Sequence, residues 1–299
     1  MNDQNIPARP ARDRRPRLVD LDQRELEAPS VRTVLKLIYN TVARLFQDRV
    51  GMILGSTFVL LMLWGTHGKV ELLTTIWGGW RGPGSDPAAR ARIVAGIPWD
   101  QEWLSFALGA VLLVGVPALL IKLVYRQRLR DYGLCLPPKG RRTFALVSAA
   151  LLFACSLPAF YLAVHDPAMR AEYPLYRGVF ETTGRFLAYE LGYLLFFVVI
   201  EFIFRGYLLF GLFQLRDRDA PEGIVGAPGP LVFGYYSIFI AMLSYTAWHL
   251  GKPVPELWGT LVWGIAAGTI VLASRSLVPV ILVHWLLNVF LDFAMWRQW

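Results

Sequence analysis

The sequence predicts an all-α fold: a polytopic membrane helical bundle of about seven transmembrane helices with a polar intramembrane site. Of its 299 residues 55% are hydrophobic and only 17% charged, where soluble domains carry about a quarter charged, and mean hydropathy is +0.43. Uncharged runs repeatedly approach or pass the roughly 18 residues that cross hydrocarbon as helix. Barrel strands would instead alternate over about ten residues.

Taken in order, residues 1–30 are polar and rich in Arg and Pro, with no apolar stretch after the basic residues, which predicts a disordered basic cytoplasmic tail and no cleaved signal. Val31–Arg49 sets Leu, Ile, Tyr and Phe against Arg32, Lys36, Arg44 and Arg49 at near-helical spacing. Such a segment is an amphipathic helix, interfacial or solvated. Uncharged runs follow at Val50–Thr66, Trp103–Ile121, Thr143–Val164, Pro230–Trp248, Leu257–Ser274 and Ser276–Leu291. A seventh, Phe186–Leu215, is interrupted by Glu190, Glu201 and Arg205. Residues 69–100 and Ala220–Pro230 carry the Pro/Gly signal of loops. The chain therefore divides into the tail, residues 31–125 with the amphipathic helix and the first two spans, and residues 126–299 with the polar motifs.

Ten Lys or Arg fall in the first 50 residues and six in the loop after the second span (Arg126, Arg128, Arg130, Lys139, Arg141, Arg142), against two in 165–184, Arg170 and Arg177. Positive loops face the cytoplasm, which puts the N-terminus there and, with seven spans, Trp299 outside. The net charge of +8 is then loop charge and implies no nucleic-acid partner. Trp258, Trp263, Trp296 and Trp299 near span ends suggest an interfacial aromatic belt. Gly264-Ile-Ala-Ala-Gly268 offers a face for close helix packing. Cys135 and Cys155 provide neither a disulfide framework nor a metal motif.

An unpaired charge in hydrocarbon costs several kcal/mol, so ionisable residues within spans mark candidate sites. Glu201 and Arg205 sit four apart and can neutralise one another. Tyr245-Thr-Ala-Trp248-His249 ends a helix at a turn of Gly and Pro that leads to Glu256. His284, Asn288 and Asp292 share one face of the last span, which must look inward. There is no His-Glu-x-x-His, no Gly-x-Ser-x-Gly, no P-loop and no Gly-x-Gly-x-x-Gly. Carboxylate and imidazole for proton transfer, with His and Asn as donors, suit water activation and oxyanion stabilisation, hence hydrolysis of a carbonyl compound.

Glu201-x-x-x-Arg205-Gly206, then Tyr245-x-x-x-His249, then His284-x-x-x-Asn288 on successive spans resemble the CPBP family of intramembrane proteases, which includes the CAAX prenyl endopeptidase and Abi or bacteriocin-immunity-like proteins. The resemblance covers roughly residues 130–295 and makes 126–299 a CPBP-like core. His249-Leu-Gly-Lys-Pro-Val-Pro-Glu256 looks like a bacterial branch, which implies a bacterial plasma membrane. The resemblance implies an endopeptidase acting on a membrane-associated protein or peptide, by CAAX-type or C-terminal-signal processing. It assigns His249 to helping a glutamate activate water, His284 and Asn288 to the oxyanion, and Arg205 to ordering the glutamates. The family pattern usually reads Glu-Glu-x-x-x-Arg, and here Ile200 replaces the first glutamate, the usual base. In order of preference, Glu201 serves as base, Glu256 swings in as an accessory carboxylate, or hydrolysis is lost.

Glu201, His249 and His284 are also a possible zinc set, but Asn288 is a poor ligand and a good donor, so no metal and no cofactor is expected. A non-catalytic scaffold or immunity protein on the same fold is the competing reading. A transporter with a Glu201–His249 proton relay is a third, against which the lack of internal repeats counts. One conflict of depth stands: Glu201 lies about 22 Å along a helix starting near Phe186, and His249 about 28 Å along one entered from the other side near Pro230.

Overall fold

A computed structural model describes residues 19, 27, 30–67, 106–175, 177–214 and 233–297. The N-terminal tail, apart from a few positions, the loops at 69–100 and 220–230, and Trp299 lie outside the described residues. Among the described residues every regular element is helical. These are α1 (Val31–Gln47), α2 (Arg49–His67), α3 (Phe106–Val124), α4 (Arg142–His165), the short α5 (Pro167–Glu172), α6 (Thr183–Phe213), α7 (Tyr236–Trp248), α8 (Val254–Ser274) and α9 (Val278–Trp296).

Each start and stop has a local cause. The Thr182 hydroxyl accepts from Arg185 N at 3.1 Å and caps α6, and the Asp166 carboxylate accepts from Ala168 N and Met169 N to cap α5. Pro255 and Pro279 stand in the first turns of α8 and α9, where their missing N–H costs nothing. Arg275, at φ 58°, ends α8 in the left-handed conformation.

Among the described residues five helices are long and apolar enough to cross a membrane: α3, the stretch Lys139–His165 that contains α4, α6, α8 and α9. The expected count was about seven. Of the two remaining runs, Val50–Thr66 falls in the shorter apolar helix Arg49–Trp64, and Pro230–Trp248 yields only the 13 residues of α7. Burial grades the spans: 78% of the α6 window is shielded inside the bundle against 11% for the α4 stretch. So α6 is the central post, and α4, with Phe144, Leu146, Val147, Leu151 and Leu162 outward, is a peripheral apolar surface. Close approach of α7 to α8 depends on the small-residue face read in the sequence. A Cβ on Gly264 would lie 2.6 Å from Met242 Cγ, and one on Gly268 3.1 Å from Ile238 and Leu209.

The two ends of the bundle are tied differently. At one, Arg49 donates to Gln127 Oε1 and Tyr132 OH, Tyr125 and Tyr207 share a 3.0 Å hydroxyl contact, Arg141 donates to Ala273 O, and Ser276 donates to Cys135 O. Burial pushes Tyr132 up to about 12, although Arg49 opposes it. The basic loop residues from Arg126 to Arg142 gather at this end. At the other, Trp296 of α9 stacks on Phe180 and Phe186, and Lys252 pairs with Glu172. Helix α1 leaves Val31, Val34, Leu35, Ile38 and Val42 exposed along one side.

Candidate active site

Four helices bring the polar residues into the bundle: α6 supplies Glu201 and Arg205, the end of α7 His249, the first turn of α8 Glu256, and α9 His284 and Asn288. After Glu201 the α-helical winding of α6 gives way to wider, π-type turns over Phe202–Phe210. Gly206 belongs to this stretch because a Cβ there would meet Phe202 at 2.6 Å and the Tyr132 carbonyl at 3.1 Å.

The first cluster centres on Glu201, which is fully buried. Its Oε2 faces Arg205 Nη1 at 3.4 Å, so the pair separated by four residues does neutralise itself. Its Oε1 accepts from His284 Nδ1 at 2.7 Å and from Trp263 Nε1 at 3.3 Å. The Arg205 guanidinium lies over the Tyr245 ring, 4.1 Å from its centre. Phe197 and Trp263 wall the His284 ring at 4.3 and 4.7 Å. The Asn288 amide donates to the His284 carbonyl at 3.0 Å, one turn back on its own helix. Asp292 is buried against Glu190 of α6, carboxyl facing carboxyl.

The second cluster centres on His249. Its Nδ1 is 2.8 Å from the Tyr245 carbonyl, an acceptor, so Nδ1 carries the proton and Nε2 presents a lone pair. The carboxylate beside Nε2 is Glu256, with Oε1 at 3.6 Å, and Tyr173 OH donates to that same oxygen at 2.8 Å. Burial, reinforced by Glu256, raises the Tyr173 phenol well above its ordinary value, so it stays a donor. Tyr245 joins the two clusters, its ring 4.4 Å from His249 and 6.5 Å from His284.

Several expectations change on this geometry. The depth conflict dissolves because α7 begins at Tyr236, which puts His249 about 20 Å along it. Trp263 is not interfacial: it is buried, and its indole N–H serves Glu201. Glu256 has no need to swing in, since it already stands beside His249. The zinc set Glu201, His249, His284 is not assembled: His249 faces Glu256, and among the described residues no three His, Cys, Asp or Glu side chains are grouped as a metal ion requires. Tyr173 and Trp263 were missed as site residues. Tyr173 lies in a loop 83 positions from its partner, and Trp263 has the tryptophan spacing common at span ends.

What the arrangement offers chemically is an imidazole lone pair next to a carboxylate, and close by a second imidazole held on a buried ion pair, all in low-dielectric surroundings where such contacts are strong. Residues 182–290 match the family model described as type II CAAX prenyl endopeptidase Rce1-like. The match runs from the cap of α6 to two residues beyond Asn288 and so takes in both clusters except Tyr173 and Asp292, in agreement with the resemblance carried by the three motifs. Together with the five apolar helices it marks the chain as an integral membrane protein. No curated protein and no solved structure matches the chain.

Proposed function

We propose that the chain is an intramembrane endopeptidase that hydrolyses a peptide bond of a membrane-associated protein or peptide, by CAAX-type or C-terminal-signal processing. The observation that carries this reading is the convergence of Arg205, His249 and His284, drawn from three helices, around the single ring of Tyr245, with Glu201 bound to both Arg205 and His284. A scaffold needs buried charges paired, as Glu201 and Arg205 are, but it has no need of an imidazole lone pair presented to a neighbouring carboxylate.

In this mechanism His249 Nε2 accepts a hydrogen bond from a water and orients it as the water attacks the scissile carbonyl carbon. The oxygen of that carbonyl gains charge and is met by His284 and Asn288. With His284 Nδ1–H resting on Glu201, a second proton taken up from water at Nε2 lets Nε2–H donate to the oxyanion, whose charge offsets the imidazolium. Arg205 holds Glu201, and Glu201 holds the ring. Water reaches the site because α7 covers only about 20 Å of the roughly 30 Å hydrocarbon thickness, so the polar turn from His249 to Pro253 falls within it. With α2 and α7 counted as crossing, the bundle makes seven passes. The basic end of the bundle faces the cytoplasm by the positive-inside rule. Helix α1 rests its exposed apolar side on the membrane surface.

The test is a comparison of membrane-protein sizes and C-termini in cells carrying wild type, Glu201→Gln or His249→Ala at matched expression. The protease reading expects the same precursors to accumulate in both mutants. If no precursor distinguishes either mutant from wild type, the scaffold reading replaces it.

A further inference from the structure

The geometry points to Glu256 as the carboxylate that activates the attacking water together with His249. The inference rests on the hydrolytic reading above and names the base within it.

Ile200 is 2% exposed and packed in the hydrophobic core, so no carboxylate can act from that position. Glu201, the next residue, is engaged on both sides: one oxygen takes His284 and Trp263, the other lies 3.4 Å from the Arg205 guanidinium in an ion pair without a hydrogen bond, and nothing of it is exposed. A carboxylate so surrounded is a counter-ion and a brace for His284. Taking a water proton would require it to leave all three partners at once.

Glu256 is placed otherwise. Its Oε1 stands 3.6 Å from His249 Nε2, too far for a hydrogen bond, and with His249 protonated on Nδ1 both atoms are acceptors. A gap of this width between an imidazole lone pair and a carboxylate accommodates a shared donor. A water oxygen about 2.8 Å from each closes the triangle and directs one hydrogen at the carboxylate and one at the imidazole. The Glu256 and His249 side chains are 14% and 8% exposed, in contrast to Glu201 at 0%, so solvent can reach this pair.

The pair is also braced. Tyr173 OH donates to Glu256 Oε1 at 2.8 Å and fixes the carboxylate, and burial keeps that phenol protonated far into the alkaline range. Lys252, in the turn between His249 and Glu256, pairs with Glu172, the neighbour of Tyr173, and its ammonium lies 5.5 Å from the Tyr173 ring centre. Glu256 itself occupies the first turn of α8, where the helix dipole favours a negative charge.

The step balances as follows. As the water oxygen bonds to the carbonyl carbon, one water O–H breaks and its proton passes to Glu256, while the C=O π pair moves onto the oxygen. When the tetrahedral adduct collapses, the C–N bond breaks and that proton goes to the leaving nitrogen, giving a carboxyl product and an amine. Glu256 and His249 are thus the catalytic residues for water, and Tyr173 is a positioning residue.

The experiment adds Glu256→Gln, Glu256→Asp and Tyr173→Phe to the cell comparison, and then assays the purified full-length variants on a precursor that accumulates with His249→Ala. The expectation for Glu256→Gln is accumulation of the same precursors and a kcat at least about 100-fold lower at unchanged KM and unchanged melting temperature. Glu256→Asp, which keeps a carboxylate, recovers part of the lost kcat, and does so whether or not the Gln variant folds well. Tyr173→Phe lowers kcat more modestly and alters the pH profile of kcat, a change that a merely structural contact would not produce. If His249→Ala accumulates precursors and Glu256→Gln processes them at the wild-type rate, the assignment of Glu256 is overturned while the protease reading stands. Accumulation in neither variant removes the protease reading, and this inference goes with it.

Discussion

Glu201 Oε1 and His284 Nδ1 stand 2.7 Å apart across the α6–α9 interface, and the same carboxylate neutralises Arg205 within its own helix. One buried anion therefore serves a cation on one side and an imidazole on the other. Removal of the anion alone strands a buried guanidinium. Glu201→Gln is expected to destabilise the protein by about 3–5 kcal/mol, whereas the double change Glu201→Gln with Arg205→Met recovers most of that loss. Thermal unfolding in detergent of both single variants and the double measures the coupling.

Tyr245 performs two roles, one through its ring and one through its backbone. Its face carries the Arg205 guanidinium at 4.1 Å and its carbonyl takes His249 Nδ1. Tyr245→Phe keeps the ring and should change stability little, while Tyr245→Leu forfeits a desolvated cation–π contact of about 2 kcal/mol. Equal melting temperatures for Phe and Leu would contradict this.

Gly264 permits α7 to lie on α8. Gly264→Ala drives a methyl into Met242, whose Cγ is 2.6 Å from the new Cβ, and is expected to cost about 1–3 kcal/mol. Pairing it with Met242→Ala should relieve the clash, so the double variant melts above Gly264→Ala alone.

Tyr132 gives a pH dependence with a defined sign. Its phenol is pushed up to about 12 in the fold, above the ordinary value of 10.0. Its contribution is thus fully present below pH 10 and lost as pH rises through 10–12, because the unfolded chain releases a proton that the fold retains. Tyr132→Phe is expected to flatten the fall in stability across that window by up to about 1.4 kcal/mol per pH unit, as read from unfolding at stepped pH.

Legibility of the site in the sequence followed the physics of hydrocarbon. Charge and amide groups in apolar runs are conspicuous, so Glu201, Arg205, His284, Asn288 and Asp292 could be read as inward-facing; four of them are buried and the His284 side chain is 12% exposed. Their partners were harder. Trp263 is as much at home at a headgroup as on a carboxylate, since its ring is apolar and its N–H polar, and only the α6–α8 packing decides between them. Tyr173 carries no periodic signal because it stands in a loop, and its meeting with Glu256 is a product of tertiary folding. The short reach of α7 was hidden because apolar residues run continuously from Leu231 through Phe233, ahead of the point where the helix begins. The wide turns after Glu201 leave no mark in composition either.

Those turns have a consequence for how the chain tolerates a change in length. In turns this wide each residue advances the helix by less than the roughly 100° of an α-helix, and excising Ile203 would still bring the next stretch back by most of that angle. Arg205 would leave the side of Glu201, and Tyr207 would withdraw from Ser56 and Tyr125. In most spans a one-residue deletion shifts the loops at either end. Within α6 it would put the two halves of the molecule out of phase, so this segment should admit substitutions far more readily than any deletion.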